Sequence, residues 1–250
     1  METALDSINA SMSTYQVDSA ISLFNRSRST DWHPVPKNLA DVVNAALQLS
    51  QLTNGAFDAT VSPLVRLWGF GSGAQVDANP SVSEVADALG FTGYSKLQVR
   101  LSPPALMKQV PELEVDLSAI AKGYAVDTIA DMLHTRGHQN YLVEIGGELR
   151  VSGRNEAGKP WAIGVESPDA DSPVQKLGLL QGGIATSGDY RNFRVQSGKR
   201  YSHIIDPRSG VPVSHHLASV TVIHNNAMLA DGWSTAVSYT HLTLPTTPYV

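Results

Sequence analysis

Two hydrophobic rhythms alternate along this chain, and their alternation is what most limits its fold. Over residues 38–54 the apolar positions Leu39, Val42, Val43, Ala46, Leu47 and Leu49 recur at helical spacing, and Asn54-Gly55 is a favourable stop. Residues 119–136 repeat the pattern, with Ile120, Tyr124, Ile129 and Leu133 on one face and Gly137 behind them. KLQVRLS and ELEVDLS alternate residue by residue instead, predicting strands over 94–102 and 112–117. Shorter helices are expected at 3–13, at 81–89 behind a Ser81 or Ser83 cap, and at 226–236. Further strands are expected at 140–145, 148–153, 161–166, 178–180, 184–187, 190–195 and 218–224. Residues 18–25 read as turn-rich, while 31–36, with two prolines, and 74–80 read as loops. The elements interleave without a regular strand–helix–strand repeat, so the expected class is α+β (mixed α/β), with antiparallel pairs.

A chain of 250 residues with 42% hydrophobic content can bury a substantial core as one large domain or two closely packed ones. Its net charge of −5 and lack of a Lys/Arg run argue against nucleic acid as a partner. A phosphorylated small molecule is not excluded, because a bound cation can supply the missing positive charge. With no cysteine, disulfides and thiolate chemistry are excluded. No stretch approaches the roughly 20 apolar residues of a membrane-spanning helix.

Four segments carry polar residues suited to chemistry. In EVDLSAIAKGYAVD, Asp116 ends a strand, Ser118 is placed to cap the following helix, and Lys122 lies one turn inside. A helix N-terminus of this kind suits phosphate, although Ser118 and Asp116 equally suit simple capping. In GGIATSGDYRNF, Thr186, Ser187, Gly188 and Arg191 surround a polar turn, which a surface hairpin would also explain. YSHIIDPRSG puts His203 on an apolar strand, where its near-neutral pKa suits proton transfer or a buried hydrogen bond. NAMLADGWSTA sets Asp231 and Thr235 four residues apart, on one face of a helix. Two oxygens so placed serve a hard cation, and the spacing alone fits a solvated helix face as well.

Taken in order, GAFDATVSPLVRLWGFG, VDLSAIAKGYAVD, NYLVEIGGELR, ATSGDYRN, YSHIIDPRSG and ADGWSTA resemble the ApbE family of FAD:protein FMN transferases, from about residue 12 to residue 237. The resemblance implies an ApbE-like fold of two closely packed α/β subdomains. It implies magnesium and FAD, with transfer of the FMN moiety to a threonine or serine hydroxyl of an acceptor protein and release of AMP. The acceptors it implies are subunits of membrane redox complexes, on the periplasmic side of the bacterial inner membrane. Carried onto this sequence, the metal ligands are Asp231, Thr235 and the backbone carbonyl of Ala119. The flavin nucleotide site falls on Tyr15, Ala56, Phe57, Asp58, Asp116, Lys122 and the backbone of His203, Ile204 and Ile205. His203 matches the base that receives the acceptor's hydroxyl proton, and Thr186, Ser187 and Asp189 line the same region.

The resemblance has edges. The Met-Gly-Thr strand that usually opens the family, its signal sequence and its lipid-bearing cysteine have no counterpart here, so an N-terminally shortened form is expected. From Ser238 the run SYTHLTLPTTPYV departs from the family pattern, so residues 1–237 are expected to form the domain and 238–250 a foreign tail. Two other activities share these residues: FAD hydrolysis to FMN and AMP, and FAD binding without turnover.

Overall fold

The computed structural model describes residues 1–71, 79–167, 170–188, 193–196, 199–214 and 217–240. It is a mixed helix and sheet protein whose strand pairs are all antiparallel among the described residues. The expected loop at 74–80 falls mostly outside the described residues.

The N-terminal half is mainly helical. Helix α1 (Glu2–Met12) is followed by α2 (Ala20–Arg26), so the stretch read as turn-rich is a helix. Its signal is Ser19, whose side chain accepts the Ser22 N–H and so caps seven residues that bury Ile21 and Phe24. Strand β1 (His33–Pro34) leads into α3 (Lys37–Leu52), the helix the apolar rhythm predicted. Leu39, Ala40, Val42, Val43, Ala46 and Leu49 of α3 are all essentially inaccessible. At about 1.5–3 kcal/mol for each large side chain buried, this stripe anchors the largest core cluster. The Pro/Gly-punctuated segment then forms α4 (Ser62–Leu67), and α5 (Val82–Phe91) starts on a capping box between Ser81 and Glu84.

Strand β2 (Leu97–Leu101) forms a hairpin with β3 (Pro104–Lys108), and β1 adds to β3. Sequence reading placed the next strand at 112–117. That segment joins no sheet, and the strand lies instead at β3, where Pro104 occupies the start, one of the strand positions that tolerate proline. Two side chains do the work of a neighbouring strand for residues 113–117. The Asn25 amide donates to the Val115 carbonyl and accepts its N–H, both at 2.8 Å. The fully buried Lys108 ammonium donates to the carbonyls of Phe24, Asn25 and Leu113 at 3.1–3.3 Å.

Helix α6 (Ala121–Thr135) follows, then the hairpin of β4 (Tyr141–Ile145) and β5 (Glu148–Ser152). Gly146 and Gly147 form its two-residue turn with φ of 63° and 103°, a conformation that favours glycine at both positions. Strand β6 (Trp161–Ser167), expected at 161–166, pairs with β7 (Ala170–Leu179), of which only the end at 178–180 was expected, in a long separate ribbon. Then come β8 (Gln181–Gly188), β9 (Phe193–Gln196), β10 (Lys199–Ser202), which sequence reading missed, and β11 (Ser219–His224). The central sheet has the order β11-β8-β5-β4.

The last helix, α7 (Ala227–Thr240), packs on β8, β11 and α6. It passes the boundary expected at residue 237: Ser238 is buried and its hydroxyl donates to the Thr235 carbonyl. Residues 241–250 lie outside the described residues. Helices α6 and α7 cap each other. The Asp127 carboxylate on α6 accepts the first N–H groups of α7, from Ala227 at 3.0 Å and Met228 at 2.9 Å. In return the Asp231 carboxylate on α7 accepts the Gly123 N–H at 3.1 Å, within the first turn of α6. Each carboxylate satisfies donors that the other helix leaves open and opposes the positive end of its dipole. Gly123 makes the contact possible: a Cβ there would stand 2.3 Å from the Ala227 carbonyl oxygen.

Candidate active site

A cavity of about 340 Å³ opens where the start of α6, the face of α7, the end of β8 and the segments 57–65 and 203–204 converge. Asp116 reaches it from the strand-like segment held by Asn25. Its carboxylate accepts from the Ser118 N–H and hydroxyl, and at 3.3 Å from the Ser62 hydroxyl. Asp116 thus folds the approach to α6. The side-chain cap on that helix is neither Asp116 nor Ser118 but Asp231, from another element.

Of the residues singled out in the sequence, Phe57, Asp58, Asp116, Ala119, Lys122, Thr186, Ser187, His203, Ile204, Asp231 and Thr235 all line this cavity. Ala56 and Ile205 are fully buried behind its wall. Tyr15 does not line it: the residue is 78% exposed and borders two neighbouring cavities, one sharing the Ser118–Lys122 wall and the other sharing Asp116. Tyr15 lies in the exposed connection between α1 and α2 and faces the other side of the α6 start. Asp189 and Arg191 lie outside the described residues.

His203 is not on a strand. It lies one residue beyond β10, in a bend where the Ser202 hydroxyl accepts the Ile204 N–H, and its ring meets the edge of Phe70 at 6.3 Å. Asp58 is held in place by Thr60, through N–H and hydroxyl, and by the Tyr94 N–H at 2.8 Å. Burial raises its pKa, although these donors pull it back.

Asp231 is not on a solvated helix face; it is 3% exposed. Burial raises its pKa to about 7, the negative charge of Glu148 adding to the effect and Lys122 and the Gly123 N–H opposing it. Thr235, one turn further along α7, meets the Ser187 hydroxyl at 3.2 Å. Glu148, which sequence reading did not select, is a third buried acid of the cavity beside Asp58 and Asp231. Its Oε1 accepts from Lys122 Nζ at 2.7 Å, while Oε2 has no hydrogen-bond partner among the described residues. The visible signal was GGE: a two-residue turn leaves the next side chain at the edge of the sheet. Its inward direction depended on where α6 packs.

The cavity therefore gathers acids, hydroxyls, one lysine and one histidine around a helix start, an arrangement suited to an anionic ligand together with a cation. The ApbE family pattern matches residues 1–243. A Vibrio cholerae protein named FAD:protein FMN transferase is 45% identical over 241 residues, which cover 95% of this chain and 71% of that protein. The Salmonella typhimurium protein of the same name is 44% identical, over 95% of this chain and 69% of that one. Among solved structures, the flavin transferase ApbE from Vibrio cholerae aligns with a TM-score of 0.87 at 43% identity, over 95% and 76% of the two chains. The ApbE protein of Thermotoga maritima aligns with a TM-score of 0.85 at 33% identity, over 95% and 77%.

By fold and cavity the protein is an enzyme of the flavin transferase class. The chain belongs to the ApbE family.

Proposed function

We propose that this enzyme transfers the FMN moiety of FAD, with magnesium, to a threonine or serine hydroxyl of an acceptor protein and releases AMP. The observation that carries the reading is one cavity lined by Asp231, Thr235, Ala119, Asp116, Lys122 and His203, brought together from three separate stretches of chain. In the reaction the acceptor oxygen forms a bond to the FMN phosphorus, and the bond from that phosphorus to the AMP oxygen breaks. His203 receives the hydroxyl proton. Lys122 and the start of α6 hold the diphosphate, and Asp116 keeps the entry to α6 folded.

The donors present fit a magnesium ion. Asp231, Thr235 and the Ala119 carbonyl are hard oxygens, and the mutual repulsion of buried Asp231 and Glu148 is what a divalent charge would relieve. Among the described residues no three Asp, Glu or His side chains cluster as a metal site; magnesium held by these donors would draw its further oxygens from substrate phosphate and water. Bound there, magnesium supplies neutralisation of the charge that develops on the diphosphate. The acceptor is a membrane redox subunit on the periplasmic side of the inner membrane; this part of the reading rests on family membership.

The test is incubation with FAD, Mg²⁺ and an acceptor protein, followed by a denaturing gel read by flavin fluorescence. A fluorescent acceptor band is expected. Free FMN and AMP without the band would replace transfer by hydrolysis, and intact bound FAD would reduce the protein to a binder. Asp231→Asn is expected to lower magnesium-dependent turnover at least 100-fold while FAD binding falls much less; undiminished turnover would remove Asp231 from the metal site.

A further inference from the structure

The Glu148 side chain is 4% exposed, yet only one of its oxygens is used. Oε1 is bound by Lys122 at 2.7 Å, and Oε2 is buried without a hydrogen-bond partner among the described residues. An ionised oxygen left so is costly, and native structures rarely keep one without a ligand, water or ion for it. Oε2 lies beside the glycine turn: a Cβ at Gly146 would stand in van der Waals contact with it, at 3.7 Å. Glu148 and Asp231 line one wall of the same cavity, with Thr235 and Ala119.

We propose that Glu148 is a second carboxylate of the cation site, its free Oε2 accepting a hydrogen bond from a water of the cation's coordination shell while Lys122 holds Oε1. Magnesium typically keeps several waters and takes one or two carboxylates, and carboxylates that hold such waters orient the ion. The division of labour within one side chain follows: Lys122 fixes the rotamer, and the remaining oxygen faces the ion. The inference rests on the reading that Asp231 binds a divalent cation.

The test uses Mn²⁺ alone, without FAD, titrated into the full chain and followed by electron paramagnetic resonance. Glu148→Gln is expected to weaken Mn²⁺ binding at least tenfold, and Asp231→Asn to abolish it. The glutamine can still accept from Lys122, so a purely structural role for Glu148 predicts unchanged Mn²⁺ affinity. Should Glu148→Gln not fold, Glu148→Asp, which keeps the charge but withdraws the oxygen by one methylene, is read in the same way. Loss of binding in Asp231→Asn with normal affinity in the Glu148 variant overturns this inference and leaves the proposed function standing. Normal affinity in Asp231→Asn overturns both.

Discussion

At the scale of single residues, Asp231 carries the clearest electrostatic signature in the protein. Its pKa rises from 3.8 to about 7, chiefly through burial. The folded state therefore holds this proton more tightly than the unfolded chain, and the sign follows from linkage: between those two values stability falls as pH rises. The stabilisation is complete below about pH 4 and lost by about pH 7, with a total on the order of a few kcal/mol. In metal-free buffer, this contribution is expected to lower the melting temperature of wild type across that range, and Asp231→Asn, which cannot ionise, is expected to flatten the dependence. Equal slopes for the two proteins in thermal denaturation would refute the assignment. The pairing of Asp231 with Thr235 was legible in the sequence because both lie on one helix, four residues apart. Glu148 was not, because its role depends on a glycine turn and on Lys122, 26 positions away, meeting it. Asn25 was less legible still, since its partner Val115 is 90 positions distant.

At the scale of elements, α6 and α7 form the unit that matters most for the site. Asp127→Ala removes the acceptor for two N–H groups of α7 and a partner of Arg150. The expected loss is about 2–3 kcal/mol, somewhat above an ordinary cap because the donors at Ala227 and Met228 are enclosed; urea denaturation measures it. Gly123→Ala is expected to cost about 3 kcal/mol or more, because the new methyl meets backbone rather than a yielding side chain. A Gly123→Ala protein of normal stability by the same measurement would mean that the helices separate easily. Helices α3 and α6 were readable because an apolar stripe is a local property of sequence. The segment 113–117 was misread for the complementary reason: its alternation is that of a strand, but side chains rather than a sheet satisfy its backbone. Strand β3 was hidden by the prolines before and at its start.

At the scale of the whole molecule, the core divides into clusters joined by shared neighbours, Leu5 and Ile145 packing against both the cluster around α3 and the one around α6. One cluster gathers around α3, a second around α6 and β4, and a third joins α4 and α5 to Ile205, with the Trp68 indole donating to the Gly210 carbonyl at 2.7 Å. The cavity is lined by Phe57 and Ala59 of the first cluster and by Val61 and Val65, which pack on the third, so a ligand there stabilises the arrangement of those two. At about one hundred times its dissociation constant FAD adds roughly 2.7 kcal/mol, which for a chain this long is a rise of about 5–11 °C. FAD and Mg²⁺ together are expected to raise the melting temperature by more than the sum of their separate effects, because under the proposed function each would complete the site of the other. Simple additivity in differential scanning fluorimetry would show that the two bind independently.

The mutual capping of α6 and α7 has a bearing on how any substitution at Asp231 is interpreted. An alanine at that position deletes a helix terminator and a candidate ligand in one step, so lost activity would conflate a loosened scaffold with lost chemistry. Asparagine is close to a separation-of-function allele, since its amide oxygen can still receive the Gly123 N–H while its charge is gone. If Asp231 holds the metal as proposed, that dual employment narrows what evolution or design can do here: a new metal preference could not be written into α7 without also finding another way to cap the start of α6.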